Sequence, residues 1–283
     1  MPSIPTPFWN LHAFPYTLNE DHSVVLRAGY IEASPNVEFK GNILYYQGLG
    51  DSILNHDPLF LALREIGYKV IAFDYMGQGG SEGSMNRTTI QGINEIGDLV
   101  WKEFATVSGQ QEPQMNIIGW STGGLAAYRR AYFSKKDVRK VILIAPGIAV
   151  NCIVGEGLKS FPPNKITLRT LTNAKPTAQE DPHVDPIKPQ SPAGVPLFTL
   201  NLLKTAWLSQ RAWKIPKHIQ GHVFLSGPND NYVDAENTLK VIQSNASHFK
   251  THMFSEALHE IDNETPRVAN KFRRKVLQFL NEK

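Results

Sequence analysis

The sequence holds a single cysteine, Cys152, so no disulfide can close within the chain. That fits a reducing compartment. Long apolar runs are also missing: none approaches the roughly 18 residues that read as a membrane span. Met1 to Trp9 contain no basic stretch followed by an apolar core, so they do not read as a secretory leader. A cytoplasmic location is the expectation. Neither sign of charge dominates, with 29 Lys and Arg against 26 Asp and Glu and a formal net charge of +3. The densest basic patch, Lys271 to Lys275, falls in an expected C-terminal helix, where cations suit both the helix dipole and solvent. A nucleic-acid partner is therefore not expected.

Several ligand motifs are lacking as well. The glycines from Gly77 to Gly83 do not fit Gly-x-Gly-x-x-Gly, and no phosphate loop is present. His259-Glu260-Ile261-Asp262-Asn263 lacks the second histidine of a zinc-binding helix. Neither cofactor nor metal is expected.

What the chain does have is length and a core. With 283 residues, 41% of them hydrophobic and 19% charged, it can fill one large α/β domain and carry an insertion. Buried-strand patterns run over Gly41 to Tyr46, Tyr68 to Asp74, Asn116 to Ile118 and Arg139 to Pro146, with a further strand pattern over Ser23 to Ala33. Helical spacing separates them, at Pro58 to Ile66 before Gly67, at Thr88 to Val107 and after Thr122. Strands alternating with helices imply parallel βαβ units, whose ligands bind beyond the carboxyl ends of the strands. Residues 1 to 12, rich in proline and aromatics, are expected to lie against the surface.

The alternation breaks near residue 150. Gly155 to Pro216 shows no strand pattern and holds nine of the 19 prolines. The expected organisation is a core of residues 1–150 and 217–283, with residues 151–216 as an inserted cap. Pro196 to Ile215 reads as a cap helix apolar on more than one side, which predicts burial on two faces, core below and ligand above, and makes Phe198 and Trp207 candidates for lining a substrate pocket. Strands then resume at His222 to Gly227 and Lys250 to Ser255, with a helix from Asp234 to Ser244 between them and another from Pro266 to Asn281.

The chemistry centres on Gly119-Trp120-Ser121-Thr122-Gly123. Gly-x-Ser-x-Gly between a buried strand and a helix is the nucleophile-elbow pattern, in which a strained turn lifts a serine hydroxyl above the sheet. Alone the pentapeptide is weak, arising by chance in roughly one chain in ten of this length. Its context is more specific. Acyl transfer needs a base for the hydroxyl proton, a carboxylate behind that base, and donors facing the oxyanion. His259 and Asp230 follow two other expected strand ends, giving the chain order Ser, Asp, His of this kind of turn. Asp234 opens a helix and reads as an N-cap, and the other eight histidines read as surface or structural. For the oxyanion, the backbone N–H groups of Thr122 and Leu49 are the expected donors.

These residues resemble the α/β-hydrolases of the lysophospholipase, monoacylglycerol lipase and serine aminopeptidase branch, over nearly the whole chain. The carriers are Gln47-Gly48-Leu49-Gly50, Asp74 to Gly83, Gly119 to Gly124, Gly227-Pro228-Asn229-Asp230 and His259-Glu260-Ile261. The resemblance implies a mostly parallel central sheet flanked by helices, a triad of Ser121, Asp230 and His259, and a lid in the central insertion. Gln47 and Gln78 stand where the family commonly has histidine, and Trp120 where it commonly has another, which makes Trp120 a candidate pocket wall. The implied activity is ester hydrolysis through an acyl-enzyme on a hydrophobic or lipid substrate, with transient contact at a membrane surface. A thioesterase or aminopeptidase of the same fold is the alternative, and so is a non-catalytic binding protein. An aminopeptidase would need cap carboxylates for the substrate amine; the acids there are Glu156, Glu180, Asp181 and Asp185.

Overall fold

A computed structural model describes residues 7–20, 22–107, 114–150, 177–179, 185 and 195–282. Eight strands form one sheet: β1 (Trp9–Asn19), β2 (His22–Ile31), β3 (Gly41–Tyr46), β4 (Tyr68–Phe73), β5 (Met115–Trp120), β6 (Val138–Ile144), β7 (Gln220–Leu225) and β8 (Lys250–Met253). Their order is β1-β2-β4-β3-β5-β6-β7-β8. β1 and β2 pair antiparallel with their neighbours, and every pair from β4 to β8 is parallel. The helices are α1 (Asp57–Glu65), α2 (Ile90–Phe104), α3 (Thr122–Tyr132), α4 (Pro196–Ala212), α5 (Ala235–Asn245) and α6 (Pro266–Asn281).

The strands of the middle of the sheet are buried on both faces, so their side chains divide by alternation. Leu44, Tyr46, Ile71, Phe73 and Ile117 pack with Ile93 of α2, Leu125 of α3 and Ile242 of α5. Ile43, Tyr45, Val70, Ala72, Ile118 and Trp120 point the other way, onto Leu59 of α1 and Phe272 of α6. Local signals set the helix ends. Thr89 caps α2 by accepting from the Gly92 N–H, and Asp234 caps α5 through the Asn237 N–H, as its position suggests. Gly67 ends α1 at φ +96°, a left-handed conformation that glycine adopts without cost.

One expectation is corrected. The N-terminal stretch does not simply lie on the surface: Trp9–Asn19 is an edge strand paired along its length with β2. Pro15 sits within it, which an edge strand tolerates because one row of N–H groups needs no partner. α4 buries one face against the core. Phe198, Ala206 and Ser209 are buried, whereas Leu197, Leu200 and Trp207 are exposed. Most of the expected cap lies outside the described residues.

Candidate active site

Ser121 follows β5 directly and precedes α3. Its backbone stands at φ 54°, ψ −118°, a region that a residue with a Cβ adopts only under strain. The turn is held in place by its own backbone, since Ser121 N–H donates to Ile144 O at 2.9 Å and Ser121 O accepts from Gly147 N–H at 2.8 Å. Close packing explains the glycines. A Cβ on Gly119 would lie 2.2 Å from Gly123 O, and one on Gly123 would lie 2.1 Å from Tyr46 O and 2.4 Å from Gln47 O. The elbow helix therefore starts hard against the turn that follows β3.

The loops after β7 and β8 bring the other two side chains to the serine. His259 Nε2 is 2.7 Å from Ser121 Oγ, and His259 Nδ1 is 2.8 Å from Asp230 Oδ2. With Asp230 ionised, the ring carries its proton on Nδ1 and offers Nε2 to the serine hydroxyl. Asp230 is itself oriented: its Oδ1 accepts from the Tyr232 and Val233 N–H groups at 2.7 and 3.0 Å, and its Oδ2 also accepts from Ser226 Oγ at 2.5 Å. The Tyr232 ring stacks on His259 with centroids 4.8 Å apart. Burial pushes the Asp230 carboxyl up, but the charge of His259 and hydrogen bonds from His259, Ser226 and Tyr232 outweigh it and leave its pKa below the ordinary aspartate value. A depressed pKa in the fold stabilises it above the unfolded carboxylate range, and that contribution disappears as pH falls through the depressed value. Thermal unfolding followed by circular dichroism should then show wild type losing more of its melting temperature than Asp230→Asn on acidification from pH 7 to pH 2.

The turn after β3 is braced from below. Gln47 is fully buried; its Nε2 donates to Asp51 O at 3.1 Å and its backbone O accepts from Tyr75 Oη at 2.7 Å. Gln78 Oε1 accepts from the Gly50 N–H at 2.8 Å. The two glutamines thus do support turns. Leu49 sits between them on that turn, and Thr122 is the first residue of α3, with its N–H at the positive end of the helix. Asp74 organises the next turn, with Oδ1 accepting from Ile53 N–H and Oδ2 from Gly80 N–H, each at 2.9 Å, and an ion pair to Arg27. Burial pushes its carboxyl up to about 6 against the pull of Arg27.

The three candidate pocket residues separate. Trp120 is buried, donates from Nε1 to His259 O at 3.1 Å, and has its ring centroid 5.4 Å from that of His259. A Cβ on Gly48 would lie 2.4 Å from its ring. These contacts make Trp120 a brace between the β3 turn and the histidine loop. Phe198 packs into the core, and Trp207 is half exposed with Arg211 over its ring. Of the cap acids, Asp185 is described: it is tied to Arg27 and accepts from Ser52 Oγ at 2.5 Å. Glu156, Glu180 and Asp181 lie outside the described residues.

Residues 37–266 match the family described as serine aminopeptidase, S33. The chain belongs to that family. Serine aminopeptidase S33 proteins thus account for the α/β-hydrolase architecture, and solved structures agree on the fold. Monoglyceride lipase from Saccharomyces cerevisiae, solved with a substrate analogue, is similar at a TM-score of 0.68 and 15% identity, over 96% of this chain and 95% of that one. Monoacylglycerol lipase from Paleococcus ferrophilus gives 0.62 and 19%, over 90% and 98%. An enol-lactonase from Burkholderia xenovorans gives 0.65 and 17%, over 95% and 100%. No curated protein matches the chain by sequence. Among the described residues no helix is long and apolar enough to cross a membrane.

Sequence reasoning passed over one group. His56, Glu260 and Asp262 are buried with their potential ligand atoms within 4.8 Å of one another. Both nitrogens of His56 are already taken by carboxylates, Asp262 on Nδ1 and Asp51 on Nε2, each at 2.6 Å, so the group is a hydrogen-bonded ion cluster. His56 lies at no strand end, and only the meeting of two distant loops brings its partners together.

Proposed function

We propose that the protein is a serine hydrolase of carboxylic esters with a hydrophobic acyl group, of the monoacylglycerol or lysophospholipid kind. The observation that carries this is the unbroken hydrogen-bonded chain from Ser121 through His259 to Asp230, on a strained elbow. In this reading Ser121 Oγ attacks the ester carbonyl carbon while His259 Nε2 takes its proton. The oxyanion is received by the N–H groups of Thr122 and Leu49. The tetrahedral intermediate collapses, His259 returns the proton to the departing alcohol, and an acyl-Ser121 ester remains. Water, deprotonated by His259, then attacks that ester and frees the acid. Asp230 keeps the imidazole in the productive tautomer and stabilises its charge during transfer.

The substrate class is supported by the resemblance to two monoacylglycerol lipases and by the apolar residues of α4. We place residues 1–150 and 217–283 in the hydrolase core and 151–216 in a cap, working in the cytoplasm with transient contact at lipid surfaces. The family description favours a second reading, aminopeptidase. Against it stands Asp185, whose carboxylate is held by Arg27 and Ser52 and so is not presented to a substrate amine. Purified protein assayed on monooleoylglycerol, lysophosphatidylcholine, oleoyl-CoA and aminoacyl anilides should give its highest kcat/KM on one of the first two. Turnover confined to anilides or thioesters would remove this substrate assignment.

A further inference from the structure

Burying charge is costly unless it is paired, and a paired buried charge adds little net stability over apolar packing. A buried ion cluster beside an active site is therefore better explained by the geometry it imposes. His56 is fully buried on the loop that runs from the oxyanion turn into α1. One of its nitrogens bonds Asp51 of that loop; the other bonds Asp262, three residues past His259 in sequence, at 2.6 Å each. Both ends are anchored onward. Asp51 Oδ1 accepts from Asn55 Nδ2 at 2.9 Å and its backbone O from Gln47, while Asp262 O accepts from Arg273 at 3.0 Å. Asn263 Nδ2 adds a second tie by donating to Asn55 O at 2.9 Å. Trp120 packs against both rings at a tilt, with centroids 5.6 Å from His56 and 5.4 Å from His259.

We propose that His56 is a positioning residue that ties the oxyanion turn to the loop carrying His259, bonding Asp51 through one ring nitrogen and Asp262 through the other. This rests on the serine-hydrolase reading above. The tie fixes where the base stands relative to the donors for the oxyanion, and a displacement of about 1 Å in such a constellation can cost on the order of 10²-fold in rate.

Both bonds need both ring protons, so the tie depends on pH. The groups facing the ring are Asp51 on its own loop, Tyr45 of β3, Trp120 of β5, Phe60 of α1, and Glu260 and Asp262 beyond β8. Burial favours the neutral ring, but the two aspartates outweigh it and hold the His56 pKa well above the ordinary histidine value. The tie is intact below that raised value and is lost as pH rises through it. Wild type should then lose kcat on the alkaline side as His56 gives up its second ring proton.

The test is kcat and KM for p-nitrophenyl butyrate from pH 6 to pH 10, on wild type, Asp262→Asn and His56→Gln, with fluorophosphonate labelling of each. Asp262→Asn keeps the side-chain shape and removes one carboxylate that holds the proton on. Its alkaline loss of kcat should move to lower pH by about one unit, KM staying in place. His56→Gln should lose about 30-fold or more in kcat with KM changed by less than about threefold, and no longer show that alkaline loss. If wild type is labelled and active but a folded His56→Gln keeps wild-type kcat, or, should that variant not fold, Asp262→Asn keeps wild-type kcat at every pH, His56 has no positioning role. If folded wild type is neither labelled nor active, the serine-hydrolase reading falls and takes this one with it.

Discussion

Replacing Ser121 by glycine is expected to abolish turnover while making the protein more stable. Loss of the nucleophile should lower kcat on the order of 10⁴-fold or more, since members of such a unit fail together rather than additively. The gain comes from the backbone. At φ 54° and ψ −118° the Cβ of Ser121 is held in a conformation that glycine enters freely. Relief of that strain should exceed the extra entropy of a glycine in the unfolded chain, leaving about 1 kcal/mol in favour of the variant. Ser121→Ala keeps the Cβ, so it should be equally inactive with unchanged stability. The pair separates strain from chemistry, and urea unfolding beside ester hydrolysis reads both. Equal stability of the glycine and alanine variants would show that the elbow stores no usable strain.

Gly123→Ala is expected to be the most damaging single methyl in the site. The added carbon would meet Tyr46 O at 2.1 Å and Gln47 O at 2.4 Å, both backbone atoms of the β3 end that cannot rotate away. Overpacking of this kind costs about 3 kcal/mol. Whatever relaxation occurs must push the Gln47 to Leu49 turn away from Thr122, opening the gap between the two proposed oxyanion donors. The variant should therefore lose both melting temperature and kcat, with KM little changed, in differential scanning calorimetry and steady-state kinetics. A stable Gly123→Ala with wild-type kcat would mean that the turn is not the oxyanion donor.

Much of this arrangement could be read from the sequence because its signals are local. β-branched runs bounded by glycine mark the parallel strands, and in a parallel sheet ligands bind just past the carboxyl ends of the strands. Ser121, Asp230 and His259 follow from that rule, and the structure brings them into one hydrogen-bonded chain. Features whose local signature is masked or absent were missed. β1 hides its alternation, Phe14, Tyr16 and Leu18, behind Pro15 and a proline-rich lead, although period-two spacing over those residues was available to find it. The bracing contacts of Trp120 have no local signature, because position beside a nucleophile says nothing about which side of the strand a side chain leaves. Alternation within β5 settles that, sending Trp120 with Ile118 toward α6 and His56. The His56 cluster joins Asp51 to Asp262 across 211 positions of sequence and has no spacing motif at all.

Intact-mass measurement after treatment with a fluorophosphonate probe tests the central claim most directly, on wild type beside Ser121→Ala and His259→Ala. One adduct on wild type, none on Ser121→Ala and strongly slowed labelling of His259→Ala is the predicted result. Folded wild type that stays unlabelled, or an adduct that persists on Ser121→Ala, would contradict an activated nucleophile at this elbow.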